Sequence, residues 1–309
     1  MKSTGKTPAL IMLLICIMSW GSVYPAGKVI LADMSDYSLA LWRFLISCVG
    51  LTAYCMLTKQ KFPHLSLRQY AILFVIGLIG ITGFNLGLFI GLKSTSATNG
   101  ALISSLSPLV TSVIAAQLNR KKLTRRQWFS LIVSLCGVAT VITEGSLENL
   151  LHLSLNRGDI FIFGAMLSWS LYTVLSQYVS HWLSPLMFTL VTMFAGTIGL
   201  IVVCIALNPE SPFYAIARIP GFSLGLLLYI SIVATVMGYV FWIQGVKTFG
   251  PAGASMVYNL VPVFAALVAY MLGQPLTTIQ IIGMLIVLAG LLIPAVGDYL
   301  RVRYFTMRH

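Results

Sequence analysis

The 309 residues are 58% hydrophobic and only 8% charged, with a mean hydropathy of +0.94 and a formal net charge of +12 at pH 7. Soluble chains carry about 25% charged residues, and a water-soluble fold of this length still needs a polar surface, so the missing polar surface must face lipid. The charge of +12 raises nucleic acid as a partner, a reading that the placement of the basic residues decides.

About 20 apolar residues cross the hydrocarbon core as a helix, and runs near that length predict ten spans. They are Pro8–Ile30, Leu39–Leu57, Tyr70–Leu92, Ser96–Leu118, Gln127–Thr143, Gly158–Val179, Pro185–Leu207, Phe222–Gly245, Pro251–Leu272 and Thr277–Val296. The connections are too short for a soluble domain. Lys2 and Lys6 precede the first run as in a signal peptide, but the run is long and carries Trp20, Tyr24 and Pro25 without an obvious small-residue cleavage site, so it is expected to stay as a span. The five cysteines (Cys16, Cys48, Cys55, Cys136, Cys204) lie within apolar runs without CxxC spacing, and the four histidines sit between runs. Neither set reads as a metal site or a disulfide framework, and no cofactor is expected.

An even number of spans puts both termini on one side. With that side cytoplasmic, Lys2, Lys6, Lys59, Lys61, Arg68, Arg120, Lys121, Lys122, Arg125, Arg126, Lys247, Arg301, Arg303 and Arg308 fall inside, while Lys28, Lys93, Arg157 and Arg218 fall outside and Arg43 lies within a span. This is the positive-inside pattern of a bacterial-type inner-membrane protein. The basic residues spread over several loops rather than forming one stripe with interleaved aromatics, so nucleic acid is not expected as a partner. The expected partners are lipid and a small-molecule substrate; a homodimer stays open.

The halves repeat. Gly91-Leu92-Lys93 and Ala101 to Pro108 align with Gly245-Val246-Lys247 and Ser255 to Pro262 at an offset of 154, and Gly137 meets Gly290 one residue short of it. Upstream, Ser19-Trp20 matches Ser168-Trp169 at an offset of 149. With five spans in each half, 8–143 and 158–296, the second half enters the membrane from the opposite side. The expected fold is therefore all-α integral membrane, with ten transmembrane helices as two inverted five-helix repeats, an arrangement used by transporters.

Several of these stretches also carry a family resemblance: Trp20-Gly21-Ser22, Leu41-Trp42-Arg43-Phe44, Gly238-Tyr239, Gly245-Val246-Lys247, Pro262 between Asn259-Leu260-Val261 and Val263, and Leu276-Thr277 with Gln280 and Gly283. In that order they resemble the EamA-type branch of the drug/metabolite transporter superfamily, over about residues 8–296. The resemblance implies secondary transport of a small molecule. In one respect the chain departs from the family, which usually has Glu before the Leu-Thr pair; here Gln274 and, in the first half, Arg120-Lys121-Lys122 occupy that region, so no role of that acid carries over.

Polar groups inside spans must face protein or water, because hydrocarbon offers no hydrogen-bond partner. The candidates for a substrate lining are Trp20 and Tyr24 on the first span, Asn85 and Phe89 on the third and Ser104, with its neighbour Ser105, on the fourth. The second half supplies Trp169 and Tyr172 on the sixth, Tyr239 and Trp242 on the eighth, and Tyr258 and Asn259 on the ninth. Each has a structural reading too, since Trp and Tyr near span ends anchor at interfaces and mid-span Ser or Asn joins helices. Arg43 either snorkels or bonds backbone carbonyls, or it serves as a gate or meets a substrate carboxylate. Gly83, Gly87 and Gly91 form a close-packing stripe, and Pro108 and Pro262 sit inside matched helices, where each permits a kink that serves either as a hinge or as static packing.

No Asp or Glu occupies the middle of a span, which favours facilitated diffusion or exchange over a proton relay. HExxH, P-loop and Gly-x-Ser-x-Gly signatures are missing, so an enzyme is disfavoured. The lining suits an amino acid or derivative. A cationic or nucleoside-like metabolite stacked on the rings is the alternative.

Overall fold

The structure, a computed structural model, describes residues 5–62, 64–94, 103–143, 156–207, 211–271 and 276–306, and every regular element among them is helical. The helices are α1 Lys6–Ile30, α2 Asp36–Leu57, α3 Leu67–Gly77, α4 Phe84–Ser94, α5 Ser107–Leu118, α6 Arg125–Thr143, α7 Arg157–Tyr178, α8 Pro185–Leu207, α9 Pro212–Arg218, α10 Gly221–Tyr229, α11 Gly238–Tyr258, α12 Val261–Met271 and α13 Thr278–Thr306. A π-helical stretch, Leu78–Gly83, joins α3 to α4, and a second, Ile230–Met237, joins α10 to α11.

Among the described residues six stretches are long and apolar enough to cross a membrane: Lys6–Gly27, Asp36–Leu57, Leu67–Gly91, Arg157–Tyr178, Pro185–Leu207 and Gly221–Tyr258. Ile103–Leu118 and Thr278–Gly290 are shorter apolar helices. Leu57, Ile160, Ile205 and Met271 point outward and are each more than 70% exposed. Facing water, each such side chain would forgo about 1.5–3 kcal/mol of burial; an outer face of this kind belongs in lipid.

Reciprocal caps start several helices. Ser66 and Gln69 form a capping box ahead of α3, Thr124 and Gln127 ahead of α6, Asn156 and Asp159 at α7, and Thr277 and Gln280 at α13. Each satisfies backbone N–H groups that the first helical turn leaves open.

Two expectations change in detail. The helix runs through the interval expected between Gly245 and Pro251, and only Gly250 leaves helical geometry, at φ 77° and ψ 165°. That region is open essentially to glycine alone. Pro108 and Pro262 do not kink continuous helices: each stands second in a new helix, after turns at Leu106 and at Asn259–Leu260, where proline has no helical N–H bond to lose.

Packing divides the helices into two groups. α1 lies on α11 and α12, with α2 against the Ile230–Met237 stretch; α7 lies on α4 and α5, with α8 against α3 and the Leu78–Gly83 stretch. α2 and α8 meet between the groups, and α6 pairs with α13. The expected glycine stripe seats α7: a Cβ at Gly87 would stand 2.9 Å from Phe161 O, and one at Gly91 2.5 Å from Ile162 Cγ1. Tyr24, Lys28 and Lys93 belong to α1 and α4, but their side chains lie outside the described residues, as do Glu144, Glu148, Glu210 and Gln274 altogether.

Candidate functional site

The π stretches carry the site. Within Ile230–Met237 the Thr235 hydroxyl donates to Ile230 O at 2.8 Å and Ser231 donates to Leu227 O at 2.7 Å. Hydroxyls that bond back to the helix loosen its ladder, and π turns widen it. Trp20 of α1 uses the opening: its Nε1 donates to Ala234 O at 2.7 Å. Arg43 of α2 donates from Nε to Thr235 Oγ1 at 2.6 Å and is only 6% exposed, so it is held inside the protein rather than snorkelling. Ser47, one turn on, bonds Ser231 O at 2.8 Å.

Around this opening the aromatic side chains meet. Trp20 and Trp169 stand edge to face with centroids 5.2 Å apart, and Tyr239 lies 6.0 Å from Trp20 and 5.6 Å from Trp169. Trp242 touches both indoles and donates from Nε1 to Thr173 Oγ1 at 3.2 Å; Tyr172 stacks on Trp169 at 5.5 Å; Tyr258 contacts Trp20 at 6.0 Å. Asn85 is fully buried, donates from Nδ2 to Ile81 O at 2.7 Å, and lies beside Tyr239. Rings at these separations and tilts attract through their quadrupoles as well as by area.

Of the residues expected in the lining, the structure brings together Trp20, Trp169, Tyr172, Tyr239, Trp242, Tyr258 and Asn85, with Arg43 beside them. Phe89 is buried but joins no ring contact among the described residues. Asn259 and Ser105 line a separate pocket of about 30 Å³ with Pro108, Leu109 and Trp128. Ser104 lies in the short helical stretch ahead of the turn at Leu106 and is half-buried. Sequence reasoning missed Phe44, 5.9 Å from Tyr239, Phe84, 5.2 Å from Trp169, and Phe188, 5.7 Å from Tyr172. Phe44 and Phe84 directly follow Arg43 and precede Asn85, a signal available but unused. Thr235 and Thr173, as mid-span hydroxyls, met the polar criterion as well.

The model of the EamA-like transporter family matches twice, over residues 7–143 and 156–295. The chain belongs to the EamA-like transporter family. Among EamA relatives, the uncharacterized transporter YyaM of Bacillus subtilis is 36% identical over 287 residues, covering 91% of this chain and 92% of that protein. YetK of the same organism, also named an uncharacterized transporter, is 25% identical and spans 89% of this chain and 83% of its own length. An uncharacterized transporter of Archaeoglobus fulgidus is 25% identical over 91% of this chain and 94% of its own. One crystal structure shares the fold, with a TM-score of 0.76 at 15% identity over 94% of this chain and 98% of that one. This EamA protein is thus a membrane-embedded transporter with an aromatic centre.

Proposed function

We propose that the transporter is a ten-span carrier built as two inverted repeats, 8–143 and 158–296, with both termini cytoplasmic in a cell inner membrane. On this reading it moves an amino acid or close derivative by alternating access around the aromatic centre. Reciprocal contacts support the inversion. Trp20 touches Trp169 and Cys48 Sγ lies 3.3 Å from Thr197 Oγ1, both pairs separated by 149 residues. Gly91 packs on Ile162 as Gly245 packs on Leu13, and Gly137 packs on Val287 as Gly290 packs on Ser134. The two π stretches and the restarts before Pro108 and Pro262 stand at matching positions. Contacts that map onto themselves in this way are what a two-fold between halves produces.

The observation that carries the function is the meeting of the two groups at Trp20 and Trp169 with a buried cation beside them. The rings suit an apolar or aromatic side chain, and Arg43 suits a carboxylate, which a guanidinium bonds with fixed geometry. The buried cation disfavours a cationic substrate, the alternative that the rings alone allow. Transport by facilitated diffusion or exchange follows from where the acids sit: Asp36 and Asp159 are buried, but in the first turns of α2 and α7. Asp159 there accepts from Asn156 N at 2.8 Å, as a cap. The sequence carries no HExxH, P-loop or Gly-x-Ser-x-Gly signature, which favours a carrier over an enzyme.

A metabolite panel tests this reading by thermal stabilisation of detergent-purified protein, since a ligand of the folded state raises the melting point. Amino acids are expected among the hits, and Trp169→Ala and Tyr239→Ala are expected to abolish their effect. Hits confined to cations or nucleosides, or variants that respond like wild type, would refute it.

A further inference from the structure

The two repeat-related tryptophans do not do the same job. Gly238 leaves room for the Trp20 indole, since a Cβ there would stand 2.7 Å from its Nε1, and so Trp20 lies on its π stretch and donates to Ala234 O. The residue 154 positions before Gly238 is Phe84, whose ring packs on Trp169 at 5.2 Å. Trp169 is 3% exposed and its Nε1–H has no hydrogen-bond partner. Asn85, the next residue after Phe84, is 0% exposed and its Oδ1 is likewise without a partner.

A buried donor and a buried acceptor left open are each unfavourable, and native proteins leave few of them. These two flank one ring: Tyr239 contacts the Trp169 indole and lies beside Asn85, with Arg43 near enough for its charge to act on Tyr239. The site therefore offers a donor, an acceptor and a cation around one apolar wall. A ligand that satisfies all three carries a carboxylate, an N–H donor and an apolar part, as the zwitterion of an α-amino acid does.

We infer that Trp169 Nε1–H and Asn85 Oδ1 are the pair that reads the backbone groups of an α-amino acid, with Trp169 donating to the carboxylate and Asn85 accepting from the ammonium, while Trp20 holds α1 to its π stretch. The assignment rests on the centre being the substrate site. It adds a requirement that the rings and Arg43 alone do not impose: the amino group must be free.

The test uses the full-length detergent-purified protein, free L-amino acids, and for each hit the same acid lacking its amino group, with affinities measured by calorimetry. Wild type is expected to prefer the amino acid by about tenfold, the worth of one charge-assisted hydrogen bond. Asn85→Ala is expected to bring that ratio within about threefold; because the ratio is taken within one variant, loss of folded protein cancels from it. Trp169→Phe keeps a ring, removes the N–H, and is expected to weaken both acids about tenfold. The ligand-free melting temperatures separate the tryptophans, because Trp20→Phe breaks a made hydrogen bond and lowers melting, whereas Trp169→Phe breaks none. An unchanged ratio in Asn85→Ala, or equal losses of ligand-free stability in the two tryptophan variants, overturns this assignment and leaves the amino-acid reading standing. A wild type that binds no amino acid overturns both.

Discussion

Replacing Gly87 with alanine puts one methyl group between α4 and α7. The new Cβ would stand 2.9 Å from Phe161 O, 3.1 Å from Ala165 Cβ and 3.2 Å from Ala165 N. Two of these neighbours are backbone atoms of α7 that no rotamer change can move, so the helices must part by about 0.5 Å, which forfeits about a quarter or more of each nearby dispersion contact. Overpacking of this kind destabilises by about 1–3 kcal/mol. Alanine recovers about 0.8–1 kcal/mol in helix propensity, leaving a net loss of up to about 2 kcal/mol. Gly164, on the same α7, is the internal control, since a Cβ there meets nothing within 4 Å and the propensity gain acts alone. Thermal melting of both variants in one detergent is expected to place Gly87→Ala below wild type and Gly164→Ala level with it or above. The packing argument fails if Gly87→Ala melts at or above wild type, or if the two variants fall together.

Gly250→Ala forces a side chain into the φ 77° conformation and is expected to lower stability by about 1–3 kcal/mol, read as a lower melting point in the same assay. Arg43→Gln keeps a donor for Thr235 but removes the charge; uptake of an amino-acid hit into proteoliposomes is expected to fall about tenfold or more while the variant still purifies as a monodisperse protein. Imposing a proton gradient on wild-type proteoliposomes is expected to leave net substrate flux unchanged, and flux that follows the gradient would assign a coupling role to the buried Asp36 or Asp159.

Much of the fold was legible because lipid simplifies the code. A span must be long, apolar and helical, and the runs from Lys6 to Tyr258 obey that rule closely enough to be read by eye. The aromatic centre was legible because Trp20 and Trp169 align between the halves and because Asn85 and Tyr239 sit where hydrocarbon cannot satisfy them. Less legible were the π stretches. In Ile230–Met237 the Ser231 and Thr235 hydroxyls return to backbone carbonyls, whereas Thr82 in Leu78–Gly83 bonds across to Gly196 O, and such residues look the same in sequence whether they loosen a helix or bond across it. The roles of Trp20 and Trp169 were hidden because the difference lies in their neighbours Gly238 and Phe84, on other helices.

Inversion is the claim on which the carrier rests, and one labelling experiment reaches it directly. Thr124 and Thr277 occupy matching positions and cap α6 and α13 with the same threonine and glutamine pair. With a single cysteine placed at each in turn, a membrane-impermeant thiol reagent applied to intact cells is expected to label Thr277→Cys and to reach Thr124→Cys only after the cytoplasmic face is opened. Labelling of both positions from the same side would contradict the account.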